Sequence, residues 1–517
     1  SASLVGSEMC IRDRLYREQT IMKYINPFSN QSQFFSVKFD EATDEGDSEK
    51  LKILIDDVLN IIDTEDTASQ AQLYYSIGTV YGDIARLEKS SNESYIEKQL
   101  FYFRKSIELI NADELSDEKY SPYINEFKLS LYTNYGNAFD HCGRKIAAIE
   151  QYQKALKIDG GFGMALGNLG MAYRHYAMMV SDYVHRDYMN HFAYTLLCQA
   201  IKSNDKSVHQ NAYGYFSNAI NSYTDEYIQE VLTQSLDIPQ YNYDNEEELK
   251  YREWALEHNL FLNPLNDLPV NEYCFAADVL QLPNMIVNIN DKPIFHGMFN
   301  QIKQDYIFAR YQFYCGIQQN GEAHFADKDT FLLNFADYPQ YSIRVEMIKS
   351  AFKTLYSLLD KCAYFMNYYF GLGIEERRIT FHNVWANPKM ASLYEQNNNY
   401  ILNALRWIGK DFYNKLMDSP NPYAKKTCTI RNALEHKYTK VYWDLFYDRT
   451  NGEIDNLAFY ISEAELIDET MKLLHIIREI IISMVLSVGI EEKERNKNNT
   501  KIAVPFTFDQ YEDEWKI

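Results

Sequence analysis

No run of apolar residues in this sequence is long enough to cross a bilayer. The longest, residues 480–490, follows Arg478 and Glu479 and falls short of the roughly 20 apolar residues that a spanning helix needs, so a soluble protein with no membrane partner is expected. Cations are scarce as well. Lys and Arg number 51 against 73 Asp and Glu, for a net charge of −22 and a pI near 5.0. That balance speaks against a protein that coats nucleic acid or anionic membrane with its whole surface, because like charges repel. It leaves room for one local basic site. The seven cysteines, Cys10, Cys142, Cys198, Cys274, Cys315, Cys362 and Cys428, include no Cys-x-x-Cys pair. Neither a zinc knuckle nor a disulfide framework is indicated, and reduced thiols in a cytoplasmic setting are expected. The usual metal-ligand sets are missing too, so no metal and no cofactor is expected.

What the sequence does have is length and helical periodicity. Its 517 residues suffice for two or three domains, each with a core. Residues 8–13 read Glu-Met-Cys-Ile-Arg-Asp, one translated frame of a transposase adaptor used in sequencing libraries. Residues 1–14 are therefore expected to be an adaptor-derived scar; the apolar core of a signal peptide is absent from them. Residues 15–236 carry a repeat, in which Gly136 and Phe139 recur 34 positions later as Gly170 and Tyr173. This resembles the tetratricopeptide repeat (TPR), whose two antiparallel helices need a small residue where they cross and aromatics to fill the gap. Gly136, Phe139, Ala148, Tyr152 and Ala155 fall on its signature positions, and Gly160 stands where a Pro is usual.

Neighbouring units are stretched. Gly78 and Tyr81 open one whose second helix, around Phe103 and Ser106, comes about nine residues late; Ala193, Leu197 and Ala200 close another about eleven residues late. Such an array either grips a protein or peptide partner or serves as a scaffold for the rest of the chain. Gly160-Gly161-Phe162-Gly163 is read as a repeat turn, not as a phosphate-cradling loop.

Residues 237–341 form a mixed connector punctuated by Pro239, Pro264, Pro269, Pro283 and Pro293. A short helix there is expected to break at the Asn263-Pro264 turn, and residues 284–291 alternate enough to allow a short strand. Helical periodicity returns in four blocks, 342–371, 387–417, 424–446 and 461–495, which predict a four-helix bundle over 342–495. An acidic, aromatic tail, 496–517, follows. The fold class is mainly α.

The third block holds Arg431, Asn432, His436 and Tyr438. Arg-Asn-x-x-x-His-x-Tyr on a helix of a C-terminal bundle resembles the signature of the HEPN superfamily: an Arg, four to six residues, then a His, often with Asn, Asp or His directly after the Arg and an aromatic two places after the His. Members of that superfamily include metal-independent endoribonucleases, and a bacterial TPR–HEPN branch fuses a repeat array to the bundle. The same bare spacing occurs at Arg186–His191, Arg377–His382 and Arg252–His258. These are read as a surface helix of a stretched repeat, an inter-helix connection and a structural part of the connector.

On one helix Asn432 and His436 share a face, whereas Arg431 and His436 stand about 140° apart and about 7.5 Å along the axis. Ile430, Leu434, Val441 and Leu445 make the apolar stripe that buries the helix. A single helix thus does not carry both heads to one phosphate, but a two-fold homodimer with two such helices face to face does. The resemblance implies a shared site of that kind. It also implies RNA cleavage by the ribose 2′-hydroxyl, which attacks the adjacent phosphorus. His436 suits general acid–base work because histidine titrates at about pH 6.5. Arg431 would stabilise charge on the phosphoryl oxygens and Asn432 would position by hydrogen bonding.

Lys426, Lys437 and Lys440 form a basic strip, and Tyr438 can stack on a base. A solvated helix face and ordinary packing account for the same residues. Residues 342–495 hold 20 cationic and 20 acidic residues, so the acidity belongs to the array and connector. The expected function is a homodimeric, cytoplasmic endoribonuclease acting as a toxin in bacterial anti-phage or stress defence, its acidic array keeping RNA away until a trigger binds. The alternative is a non-enzymatic TPR adaptor with a dimerising bundle.

Overall fold

The computed structural model describes residues 24–90, 92–202, 208–234, 243, 245–270, 272–286, 292–318, 323–333, 338–396, 399–412, 422–443, 456–497 and 511–516. The expected scar at 1–14 lies outside them. The chain is mainly α.

Helices α1 (Asn30–Glu45), α2 (Ser48–Ile61) and α3 (Thr67–Leu87) open the fold. Their ends are set locally. Ser29, Asp47 and Asp66 cap the three N-termini by accepting backbone N–H bonds, and Gly46 ends α1 in the left-handed region, φ 71°, where a Cβ is disfavoured. Phe39, Leu51, Ile55, Val58, Ile77 and Val80 make the core between them.

Three antiparallel hairpins carry the repeat: α3 with α4 (Glu93–Ile110), α5 (Ser121–His141) with α6 (Lys145–Ile158), and α7 (Gly163–Met179) with α8 (Tyr183–Lys202). At each crossing a glycine admits the partner helix. A Cβ on Gly78, Gly136 or Gly170 would lie 2.9, 2.5 or 2.9 Å from Phe103, Tyr152 or Leu197. The stretched units thus keep the same contact, with the spare residues absorbed in longer helices and turns. Gly160 and Gly161 fall in the turn between α6 and α7. Helix α9 (Gln210–Asn221) buries Phe216 against α7.

In the connector, α10 (Glu246–Glu257) gives way to a buried turn, residues 260–268, with Pro264–Asp267 as a 3-10 turn. Residues 284–286 are not in a strand, and 287–291 lie outside the described residues. A helix that the proline-rich reading did not anticipate follows, α11 (Ile294–Ile317), antiparallel to α12 (Ile343–Tyr369). Gly316 fits against Ile348 at their crossing.

The bundle continues through α13 (Phe381–Trp385), α14 (Pro388–Gln396), α15 (Tyr400–Phe412) and α16 (Pro422–His436) to α17 (Glu463–Lys497). Two expected blocks are corrected. The second is divided at Asn399, which is buried and donates to the Ser487 carbonyl at 2.9 Å. The third ends at His436 and does not reach 446. Thr439 turns its hydroxyl back to the Ala433 carbonyl, 3.1 Å, and Thr439–Tyr442 becomes strand β1, parallel to β2 (Phe459–Ser462). β-branched and aromatic residues favour that pleated surface. Val441 is buried from the strand, and Leu445 lies outside the described residues. Helix α17 is long and apolar enough by composition to cross a membrane, but 83% of its apolar window is buried inside the fold.

Candidate functional site

Helix α16 lies against α12 and α15, burying Ile430 and Ala433 with Leu434 half-buried. That packing turns its other flank outward. Arg431 sits half-buried there, its guanidinium donating to Asn432 Oδ1 at 3.0 Å and lying 5.4 Å from the centre of the Tyr356 ring. Asp360, one helical turn after Tyr356 on α12, feels the same cation. Burial raises its carboxyl, opposed by the Phe381 N–H and by Arg431. Arg431 is thus bonded to an amide and seated over an aromatic ring, and its charge reaches the Asp360 carboxyl.

His436 is exposed at the last position of α16, and its ring has no hydrogen-bonding or ionic partner among the described residues. The structure brings Arg431 and Asn432 together. It shows no bond between either of them and His436 within one chain.

The four expected RNA contacts fare differently. Lys437 is exposed. Tyr438 is half-exposed, and its hydroxyl lies 3.1 Å from that of Tyr341. Lys426 is held by Glu465 at 2.7 Å and Glu469 at 3.6 Å; burial lowers its pKa, but these carboxylates outweigh burial and raise it. Lys440 is buried, 4% exposed, with its ammonium 5.3 and 5.8 Å from the centres of the Tyr438 and Tyr460 rings. The strand that replaces the expected helix turns Lys440 inward, so it does not belong to an exposed basic strip.

Sequence reasoning missed Tyr341, Tyr356 and Asp360. The last two stand four apart on one helix, a signal available in the sequence. Tyr341 was not legible. It arrives from the segment before α12, where the Gln340 N–H donates to the Val441 carbonyl at 2.7 Å, and Arg344 and Gln340 both bind Glu463.

The other Arg–His pairs make no comparable group. Arg186 and His191 lie on α8. Arg377 is 80% exposed beside Glu375, and Arg252 binds Glu248 and the Ala276 carbonyl.

Residues 286–491 match the family model described as LA2681-like HEPN. The matched span takes in α11 through α16, both strands and most of α17, so the segment carrying Arg431, Asn432 and His436 is HEPN-like. No curated protein and no solved structure matches the chain.

Proposed function

We propose that the HEPN-like bundle is a metal-independent endoribonuclease. HEPN domains are commonly ribonucleases, and one observation carries the assignment to particular residues. Within the matched span, Arg431 is seated and oriented by Asn432, while His436 stands unengaged and exposed on the same helix. In the proposed reaction the ribose 2′-hydroxyl attacks the adjacent phosphorus as the bond to the 5′-oxygen breaks, leaving a 2′,3′-cyclic phosphate and a 5′-hydroxyl. One proton leaves the 2′-oxygen and one reaches the 5′-oxygen. His436 serves as acid or base in that exchange. Arg431 binds the charged phosphoryl oxygens through its planar fork, and Asn432 holds the guanidinium in register.

Arg431 and His436 do not bond within one chain, which favours a homodimer in which each meets the other across two facing α16 helices. Lys437 contacts the phosphate backbone, and Tyr438, with Tyr341 beside it, stacks on a base. The array is read as TPR-like and regulatory, answering a protein or peptide trigger in a bacterial defence role.

The test incubates wild type and His436→Ala with total RNA in excess chelator, at rest and under activating conditions. Cyclic-phosphate ends from wild type, reduced about 10²-fold or more in the variant, are expected. Identical RNA from both proteins under all conditions sinks the nuclease reading. The ion-paired Lys426 and the buried Lys440 favour the rival, a non-enzymatic adaptor whose bundle only dimerises.

A further inference from the structure

A recess of about 360 Å³ opens between the first turns of α10 and the last turns of α11, and its lining includes Glu247, Glu248, Tyr251, Arg252, Tyr311 and Tyr314. None of these residues takes part in the proposed RNA chemistry. The rings come in pairs three residues apart on facing helices, Tyr251 with Trp254 and Tyr311 with Tyr314. Tyr251 stands at 86° to Tyr311 with centres 5.4 Å apart, and at 65° to Tyr314 with centres 5.2 Å apart; Trp254 backs Tyr314 at 5.1 Å. Tyr251 is fixed, because its hydroxyl accepts from Arg310 Nε at 2.8 Å and Arg310 is itself held by both oxygens of Asp278. The Tyr311 phenol is pushed up to about 12, first by its hydrogen bond to Cys315 and then by neighbours that include Glu247, so the ring is neutral.

The charges around the recess do not cancel. Arg252 is occupied by Glu248 at 2.8 Å and by the Ala276 carbonyl, and Lys250 by Glu246 at 2.6 Å. Glu247 is exposed and has no partner among the described residues. Three tyrosine rings, Tyr251 held by Arg310, thus line the recess beside one carboxylate that no cation binds among the described residues. An anion is repelled there, and a neutral apolar group makes no use of Glu247. A soft cation is attracted both by the ring faces and by the carboxylate. We propose that this recess binds an alkylated ammonium group, with Tyr251, Tyr311 and Tyr314 as walls and Glu247 as counter-charge. The group is either a free quaternary amine or a methylated lysine side chain of a partner. This inference does not depend on RNA cleavage.

The test uses the full chain and calorimetric titration with choline, with its neutral isostere 3,3-dimethyl-1-butanol, and with a short peptide carrying trimethyllysine. Saturable binding of choline or the peptide is expected, with the isostere about tenfold weaker or more. Tyr311→Ala is expected to weaken binding about tenfold and Glu247→Gln about threefold. Both positions are at the surface, and an unchanged circular dichroism spectrum confirms the fold. A peptide tighter than choline assigns the site to a side chain, and the reverse order assigns it to a free amine. The proposal is overturned if neither cation saturates the wild type, if the isostere binds equally well, or if both variants bind like wild type.

Discussion

Arg310 reaches Asp278 with both ends of its guanidinium, 2.9 and 2.7 Å, and donates as well to the Leu260 carbonyl. Burial alone would raise the Asp278 carboxyl, but Arg310 and the Leu262 N–H outweigh it and hold the group below the ordinary carboxylate range. A depressed folded value means that the stabilisation is complete above the unfolded value of about 3.9 and is lost as pH falls through the folded one. Asp278→Asn leaves a buried cation without its counter-ion and should cost about 3–5 kcal/mol at pH 7. Urea midpoints of wild type and variant should therefore differ most at neutral pH and converge below about pH 4; a gap that widens on acidification would contradict this. At the same scale, the helix that carries Arg431, Asn432 and His436 was legible, because residue type and spacing on one helix need no partner to be recognised. Tyr341 and the inward turn of Lys440 were not. Both depend on a strand whose partner, Phe459–Ser462, lies some distance along the chain.

Among the elements, the repeat hairpins were the most readable, since each depends on a local rule: a glycine where two helices touch. Gly136→Ala would place a Cβ 2.5 Å from Tyr152 Cε1, whereas Gly214, inside α9, has nothing within 4 Å. The two substitutions should act in opposite directions. Gly136→Ala should destabilise by about 1–3 kcal/mol through overpacking, and Gly214→Ala should be neutral or stabilise by up to about 1 kcal/mol through helix propensity. Thermal midpoints of the two variants test this, and an equal shift in both would refute the crossing argument. The third bundle block misled for the converse reason. Ile430, Leu434, Val441 and Leu445 keep a helical spacing, while Tyr438, Thr439, Val441 and Tyr442 suit a strand equally well. Pairing with β2 decides between them, and local sequence does not report it.

Across the whole molecule, the array and the bundle share one interior. Arg144, in the turn between α5 and α6, donates to both oxygens of Glu479 on α17 at 3.1 and 2.6 Å, with side chains only 6% and 5% exposed. Arg478, next along α17, donates to Asp267 at 2.6 Å and to the Phe261 and Asn263 carbonyls, while Tyr173 of α7 donates to the Asp267 carbonyl. Nearer the surface, Arg406 and Lys410 of α15 bind Glu93, and Lys410 also binds Glu97. Part of the array's acidity is therefore spent on the bundle's own cations. Swinging the array away from the bundle would strip water-excluded charges of their partners, so under the proposed function any motion that admits RNA would have to leave the array in place. Glu479→Gln should cost about 3–5 kcal/mol, because it removes the buried carboxylate that Arg144 binds at both oxygens. Glu93→Gln, at a half-exposed pair, should cost about 1 kcal/mol or less. Removing residues 1–236 should leave a remainder that lacks native near-ultraviolet circular dichroism. A truncated protein that instead unfolds cooperatively, with wild-type stability, would show that the buried junction is dispensable and that the array is free to detach.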